Sequence, residues 1–213
     1  MQPNGRIPGF VVILNGAPRA GKSSIVAALQ ARTDAVWINL GVDVFANTVT
    51  PPHLRPGIGL RPGGERPDIE VWLPALYAGL YESIAAHARL GFNVVADVGH
   101  HEGHSHPYGL LEECVQRLDG MCVLFVGVRC PIETIMIRRN ASDGSIYAQG
   151  SEAEPVPPAV MRWQEMVHQP GLYDLEIDTS VLTPEASAEA ILAALTKPPS
   201  SPSAFERLAA LAQ

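Results

Sequence analysis

Five short apolar runs punctuate the chain, at residues 10–15, 36–40, 93–97, 122–129 and 175–178. None has a regular polar alternate face, so each reads as a strand buried on both sides, as in a parallel sheet. Helical patterns lie between them at 22–32, 71–90, 108–118, 131–140 and 158–168, and a further one at 184–195 follows the fifth strand. Strand and helix alternate, so an α/β fold with right-handed crossovers onto one five-stranded parallel sheet is the economical topology. Ligands of such sheets bind beyond the carboxyl ends of the strands, and every polar residue just after a strand becomes a candidate.

Two segments break the pattern. Residues 50–68 (TPPHLRPGIGLRPGGERPD) hold five of the nineteen prolines and are too long for a plain connection. They are expected to wall a binding site. Residues 197–202 (KPPSSP) form a stiff linker before a short amphipathic helix at 203–212, free to dock or to fray. The chain thus reads as one domain over 1–196 with an insertion at 50–68, followed by a linker and helix over 197–213.

Composition narrows the classes. With 46% hydrophobic and 17% charged residues, the 213-residue chain is neither disordered nor a coiled coil and can bury a core without a disulfide or metal. A net charge of −7 disfavours nucleic acid bound through phosphate neutralisation. The three cysteines, Cys114, Cys122 and Cys130, include no Cys-x-x-Cys and read as core or near-core thiols of a reducing compartment. The N-terminal apolar run is too short for a signal or membrane segment, so a cytoplasmic protein is expected. Lysine occurs only at Lys22 and Lys197, which draws attention to the setting of Lys22.

That setting is Gly16-Ala17-Pro18-Arg19-Ala20-Gly21-Lys22-Ser23, a full match to G-x-x-x-x-G-K-[ST] between an apolar strand and a helix. Its glycines let the backbone curl so that successive N–H groups point at phosphate oxygens, and the helix N-terminus adds positive potential. Lys22 would reach the β and γ phosphates of ATP, and the Ser23 hydroxyl would ligate Mg²⁺; Ser24 continues the loop into the helix. A magnesium site also wants a carboxylate at the end of a neighbouring strand, and Asp97 is the acidic residue there. Asp43 follows the second strand in Gly41-Val42-Asp43. It is either the base that takes the proton of an attacking hydroxyl or an N-cap for a helix over 44–49.

Four stretches resemble the chloramphenicol 3-O-phosphotransferase family, small P-loop kinases of the nucleoside-monophosphate-kinase type. They are Ile13-Leu14-Asn15-Gly16 running into Ala20–Ser23, then Gly41-Val42-Asp43, then Val126-Gly127-Val128-Arg129-Cys130, and finally Val167-His168, Tyr173-Asp174 and Asp178-Thr179. The resemblance implies a P-loop kinase-type three-layer α/β/α sandwich with strand order 2-3-1-4-5. It implies transfer of the γ-phosphoryl group of ATP to a hydroxyl of a small molecule, in that family an antibiotic; the acidic charge and the lack of a membrane segment lead us to expect no nucleic-acid or membrane partner. It makes Asp43 the base. It also implies a lid, here over 138–158, whose arginines neutralise the transferring group. Arg138 matches such an arginine, residues 141–145 add none, and Arg162 stands as a substitute. A metabolite, nucleoside or nucleic-acid-end kinase, or a non-catalytic nucleotide-binding regulator, are the alternatives on the same fold, and a homo-oligomer stays open.

Other residues invite a role. His100, His101, His104 and His106 crowd the loop after Asp97 and, with Glu102, form a candidate zinc or nickel site. The spacing and the glycines point instead to a solvated loop or an adventitious site, with one histidine available to line the acceptor pocket. His168 is read as packed or hydrogen-bonded. Trp37 is assigned to the core, while Trp72 and Trp163 are open to stacking on a ligand. Arg55, Arg61 and Arg66 either face an anionic or polyhydroxylated acceptor or solvate the 50–68 loop.

Overall fold

A computed structural model describes residues 7–32, 34–55, 66–142, 147–197 and 201–211. Five parallel strands form one sheet: β1 (Val11–Asn15), β2 (Trp37–Asn39), β3 (Asn93–Val98), β4 (Val123–Arg129) and β5 (Leu175–Asp178), in the order β2-β3-β1-β4-β5. This is the expected α/β/α sandwich of strand order 2-3-1-4-5. β1 lies at the centre, with Asn15 level with Val98 of β3 and Gly127 of β4, so the loops after these strands leave from one edge.

Alternation along the strands explains the missing polar face. Val12, Leu14, Val95, Val126, Val128 and Ile177 point into one core, which is covered by α1 (Lys22–Gln30), α6 (Ile132–Asn140), α7 (Pro158–Met166) and α8 (Pro184–Leu195). Val11, Ile13, Val94, Ala96, Val98 and Phe125 point into the other, which is covered by α4 (Leu73–Arg89), α5 (Leu110–Arg117) and α9 (Ala204–Leu211). With both faces buried, neither can be polar. Two short helices, α2 (Val42–Thr48) and α3 (Pro67–Glu70), lie between β2 and α4.

The C-terminal helix docks. Phe205 packs edge-on to Phe125 at 5.5 Å, and Asp174 holds both the Phe125 N–H (2.9 Å) and the Ala204 N–H at the start of α9 (2.7 Å). Burial of Phe205 and Leu208 supplies the driving force. Trp37 is in the core as expected; Cys114 and Cys130 are buried, whereas Cys122, just ahead of β4, is exposed and corrects the core expectation for that thiol. Among the described residues no helix is long and apolar enough to cross a membrane. Most of the 50–68 segment, residues 56–65 with Arg61, lies outside the described residues, as do 143–146 of the expected lid.

Candidate active site

The loops leaving the carboxyl edge enclose a cavity of about 690 Å³. The phosphate loop lies at its middle, in line with the position of β1 in the sheet. Gly21 has φ of +101°, a left-handed conformation that strains any residue with a Cβ, and it lets the chain turn from the loop into α1. Lys22 folds back so that Nζ donates to the carbonyls of Gly16 (2.6 Å) and Ala17 (3.0 Å). Burial lowers the Lys22 pKa, while the charges of Asp97 and Asp43 act the other way. Gly16, Pro18, Arg19, Gly21, Ser23 and Ser24 line the cavity with it, whereas Ala17 and Ala20 are buried beneath the loop.

Asp97 at the end of β3 is buried and accepts the Ser23 hydroxyl at 2.7 Å. Its other oxygen lies against Gly41, where an added Cβ would sit 1.7 Å from Oδ1. Gly41 is therefore needed for close approach, and it carries the chain into α2. The helix begins at Val42 with Gly41 as its N-cap, so Asp43 stands in the first turn and does not cap residues 44–49. That overturns the capping alternative. The Asp43 carboxyl is open to the cavity, and its pKa is raised by partial burial and by the neighbouring charge of Asp97, with Lys22 opposing. Lys22 and Ser23 at the start of α1, Asp43 in the first turn of α2 and Asp97 near the end of β3 thus face one space.

Toward β4 and β5 the cavity is cationic. Arg138 is not a solvated helix-end cation: its NH1 donates to the Arg19 carbonyl (3.2 Å), Cys130 Sγ (3.4 Å) and Thr179 Oγ1 (3.1 Å), and its NH2 to the Thr179 carbonyl (2.7 Å). Arg19, held at φ of 70°, returns a bond from NH2 to the Arg138 carbonyl at 2.8 Å. The Tyr147 ring has the guanidinium groups of Arg19 and Arg139 at 5.1 and 5.6 Å. Arg139 is buried and lines the cavity beside Arg138; Arg162 lies on the exposed side of α7 and lines nothing there. Leu182 and Pro184 complete this end.

Toward β3 and β2, beside Asp43 and Asp97, the lining is uncharged and mostly aromatic: Leu73, Tyr77, His101, His104 and Trp163. The histidine loop is solvated only in part: Ser105, His106 and Pro107 are exposed, and the residues before them are buried or half-buried. His100 and His101 are buried, and burial pushes both imidazoles down to about 3, so they are neutral at physiological pH. The His100 N–H is held by Asn15 Oδ1 (2.8 Å), and its Nε2 meets Tyr81 Oη at 2.7 Å. Asn15 also donates through Nδ2 to the Val167 carbonyl (2.8 Å) and Tyr173 Oη (2.9 Å), and Tyr173 Oη in turn meets His168 Nδ1 at 2.8 Å. One buried amide therefore joins β1, the histidine loop and the end of α7. Among the described residues no group of three His, Cys, Asp or Glu is placed to hold a metal ion, so the zinc or nickel candidate is not assembled. Trp72 is half exposed and away from the cavity. Arg55 bonds to the Thr50 carbonyl and Arg66 to Asp68 on the surface, and neither lines the cavity.

A family model for chloramphenicol phosphotransferase-like proteins matches residues 9–196. The chain belongs to that family. None of the curated proteins compared with it matches its sequence. Among solved structures, it is similar to a sugar kinase from Janibacter sp. HTCC2649, at 18% identity, with 88% of this chain and 94% of that one covered and a TM-score of 0.58. It is also similar to the Mycobacterium tuberculosis APS kinase in complex with AMPPNP and APS, at 13% identity, 89% and 99% coverage and a TM-score of 0.57. The Deinococcus radiodurans tunicamycin resistance protein follows at 15% identity, 89% and 97% coverage and a TM-score of 0.56. At these identities the likeness establishes the P-loop kinase fold.

Sequence reasoning did not find Tyr77, Leu73 or Asn47, which line the cavity from α4 and α2. They sit on helices, where apolar spacing reads as core packing. For Gly41 the signal was present, as a glycine between the second strand and an acidic residue. Gly41→Ala should force the Asp97 carboxylate or α2 to move, at a cost of about 1–3 kcal/mol. Thermal denaturation should show a lowered Tm and nucleotide titration a weakened affinity; parent values for both would mean that the close packing does not constrain Asp97.

Proposed function

We propose that this protein is an ATP-dependent O-phosphotransferase that moves the γ-phosphoryl group to a hydroxyl of a small molecule, an antibiotic of the chloramphenicol type being the first acceptor class to test. The observation that carries the reading is the meeting of Lys22, the Ser23–Asp97 pair and Asp43 in one cavity. A nucleotide-binding regulator would need the loop and no carboxylate at Asp43. The solved kinase with AMPPNP supports a nucleotide at the corresponding loop.

On this reading the loop N–H groups from Gly16 to Ser24 and the α1 N-terminus bind the phosphates. Lys22 exchanges its two carbonyl partners for phosphate oxygens. Ser23 Oγ and the Asp97 carboxylate fit Mg²⁺, being hard oxygen donors already side by side at the phosphate loop. A bound magnesium ion would neutralise charge on the phosphates. Asp43 takes the hydroxyl proton while the acceptor oxygen bonds to the γ phosphorus. The bond from that phosphorus to the bridging oxygen breaks, and ADP leaves with the electron pair. Arg138 keeps Arg19 and Thr179 in place, and Arg138 and Arg139 add positive potential where charge develops. In this reading the 50–68 segment bears on acceptor choice, because it follows the strand and helix that carry Asp43 and is too long for a plain connection. The lid spans 138–158, and residues 1–196 form the catalytic domain.

Three expected outcomes test this reading. Lys22→Ala should weaken ATP binding and cut transfer by about 10²–10³-fold or more with the fold retained, judged by titration calorimetry, turnover and circular dichroism. Near-normal turnover would reject the kinase assignment. Asp43→Asn should lower kcat by up to about 10²–10⁴-fold with little change in ATP affinity. Because a base works when deprotonated, the wild-type rate should rise with pH through the raised pKa of Asp43, and the variant should lose that limb; a retained limb would assign the base elsewhere. Replacing 50–68 with a short Gly/Ser linker should leave ATP binding intact and broaden or abolish acceptor choice. Lost ATP affinity with an unchanged acceptor profile would assign the segment to the nucleotide side.

A further inference from the structure

The acceptor side of the cavity holds a buried pair that the proposed transfer does not use. Glu70, the last residue of α3, is 1% exposed. Its Oε2 accepts the Ser105 N–H at 3.0 Å and the Ser105 hydroxyl. Its Oε1 is buried without a hydrogen-bond partner, and so is His104 Nδ1, 3.8 Å away. A buried carboxylate oxygen with no donor is costly, and a small rotation of the imidazole would satisfy both atoms with one bond. Only a proton on Nδ1 allows this; the other tautomer would set a lone pair against the carboxylate. The proton is thereby assigned to Nδ1, which leaves a lone pair on Nε2 of a ring that lines the cavity.

The neighbouring histidine has the opposite tautomer. His101 Nδ1 accepts the Gly103 N–H at 3.1 Å, so its proton is on Nε2. The two rings lie 4.3 Å apart, and His101 meets Trp163 edge-on at 4.5 Å. This wall of the cavity therefore presents one hydrogen-bond donor and one acceptor without net charge, near the carboxylates Asp43 and Asp97 on the same cavity.

Resting on the phosphotransferase reading, we infer that His104, oriented by Glu70, accepts a hydrogen bond at Nε2 from a non-reacting hydroxyl or N–H of the acceptor molecule, and that it selects acceptors uncharged at that point over those bearing a carboxylate or phosphate there. An anionic group would face the Nε2 lone pair and the negative charge of Asp43 and Asp97, a repulsive element that gives selectivity beyond what the attractive bond supplies. His104 is a binding residue in this scheme and Glu70 a positioning residue acting through it.

The test combines tautomer and kinetics on the full chain. ¹⁵N-histidine NMR near neutral pH should report His104 as the Nδ1–H tautomer, with His104→Gln identifying its signals. With ATP, chloramphenicol should be preferred over the hydroxy acids shikimate and gluconate. His104→Ala should raise the KM for chloramphenicol about tenfold, the scale of one lost hydrogen bond, with the KM for ATP within about twofold. His104→Gln, whose amide oxygen can replace the Nε2 lone pair, should recover most of the loss. Glu70→Gln should shift the His104 proton toward Nε2 and raise the same KM. An Nε2–H tautomer in the wild type, an unchanged chloramphenicol KM in His104→Ala, or a preference for the hydroxy acids would each overturn the inference. No transfer by the wild type to any of the three compounds would count against the phosphotransferase reading instead, and the tautomer would still decide the His104–Glu70 assignment.

Discussion

A carboxylate buried at the end of β3 ties together the loops that leave three neighbouring strands. Asp97 takes the Ser23 hydroxyl from the β1 loop, packs against the backbone of Gly41 after β2, and adds a negative field that favours the charge on buried Lys22. Removing an ionised carboxyl from water costs several kcal/mol unless hydrogen bonds and opposite charge offset it. Here a hydroxyl, a buried ammonium group and the adjoining helix N-terminus supply that offset. Together with burial, the same carboxylate raises the pKa of Asp43, so the residue that organises the site also tunes its neighbour.

The sheet order then sorts charge along the cavity. Loops after β4 and β5 bring Arg138, Arg139 and Thr179 to one end, with Arg19 reaching across from the phosphate loop. Loops after β2 and β3 bring Asp43, His101 and His104 to the other. Arg138 is committed to carbonyl and hydroxyl partners, so it stiffens the junction between loop and β5 while its charge stays in the cavity wall. The buried imidazoles contribute hydrogen-bonding atoms and no charge. One end is thus cationic, and the other sets uncharged imidazoles beside the Asp43 carboxylate.

Asn15 fills a part of the scheme that charge cannot. At the central strand end its amide makes one acceptor and two donor contacts, to the His100 N–H, the Val167 carbonyl and Tyr173 Oη. A buried amide with both donors and its oxygen engaged specifies one arrangement of its neighbours. It fixes where the histidine loop departs and where α7 ends, and so places His101 and Trp163 against each other.

Local pattern alone was enough for much of this protein. Two-sided burial left the central strands as apolar runs, and the edge strand β5, with Glu176 exposed, was still legible over its whole length. The phosphate loop was readable because glycine conformations and the Lys-Ser pair must be contiguous in sequence to bind phosphate. Asp97 and Asp43 were legible as candidates because strand ends in a parallel sheet define the site. What sequence could not supply was anything made by packing between distant segments. The histidine loop looks polar and reads as solvated, yet Asn15, Tyr81 and Glu70, 85, 19 and 34 residues from their partners, pack against His100 and His104, while Ser105, His106 and Pro107 are exposed. Arg138 looks like an exposed helix end until Thr179 and the phosphate loop close around it. Strand periodicity and loop motifs are short-range properties of the chain, whereas burial, tautomer and charge partner depend on neighbours that only the folded sheet brings within a few ångströms.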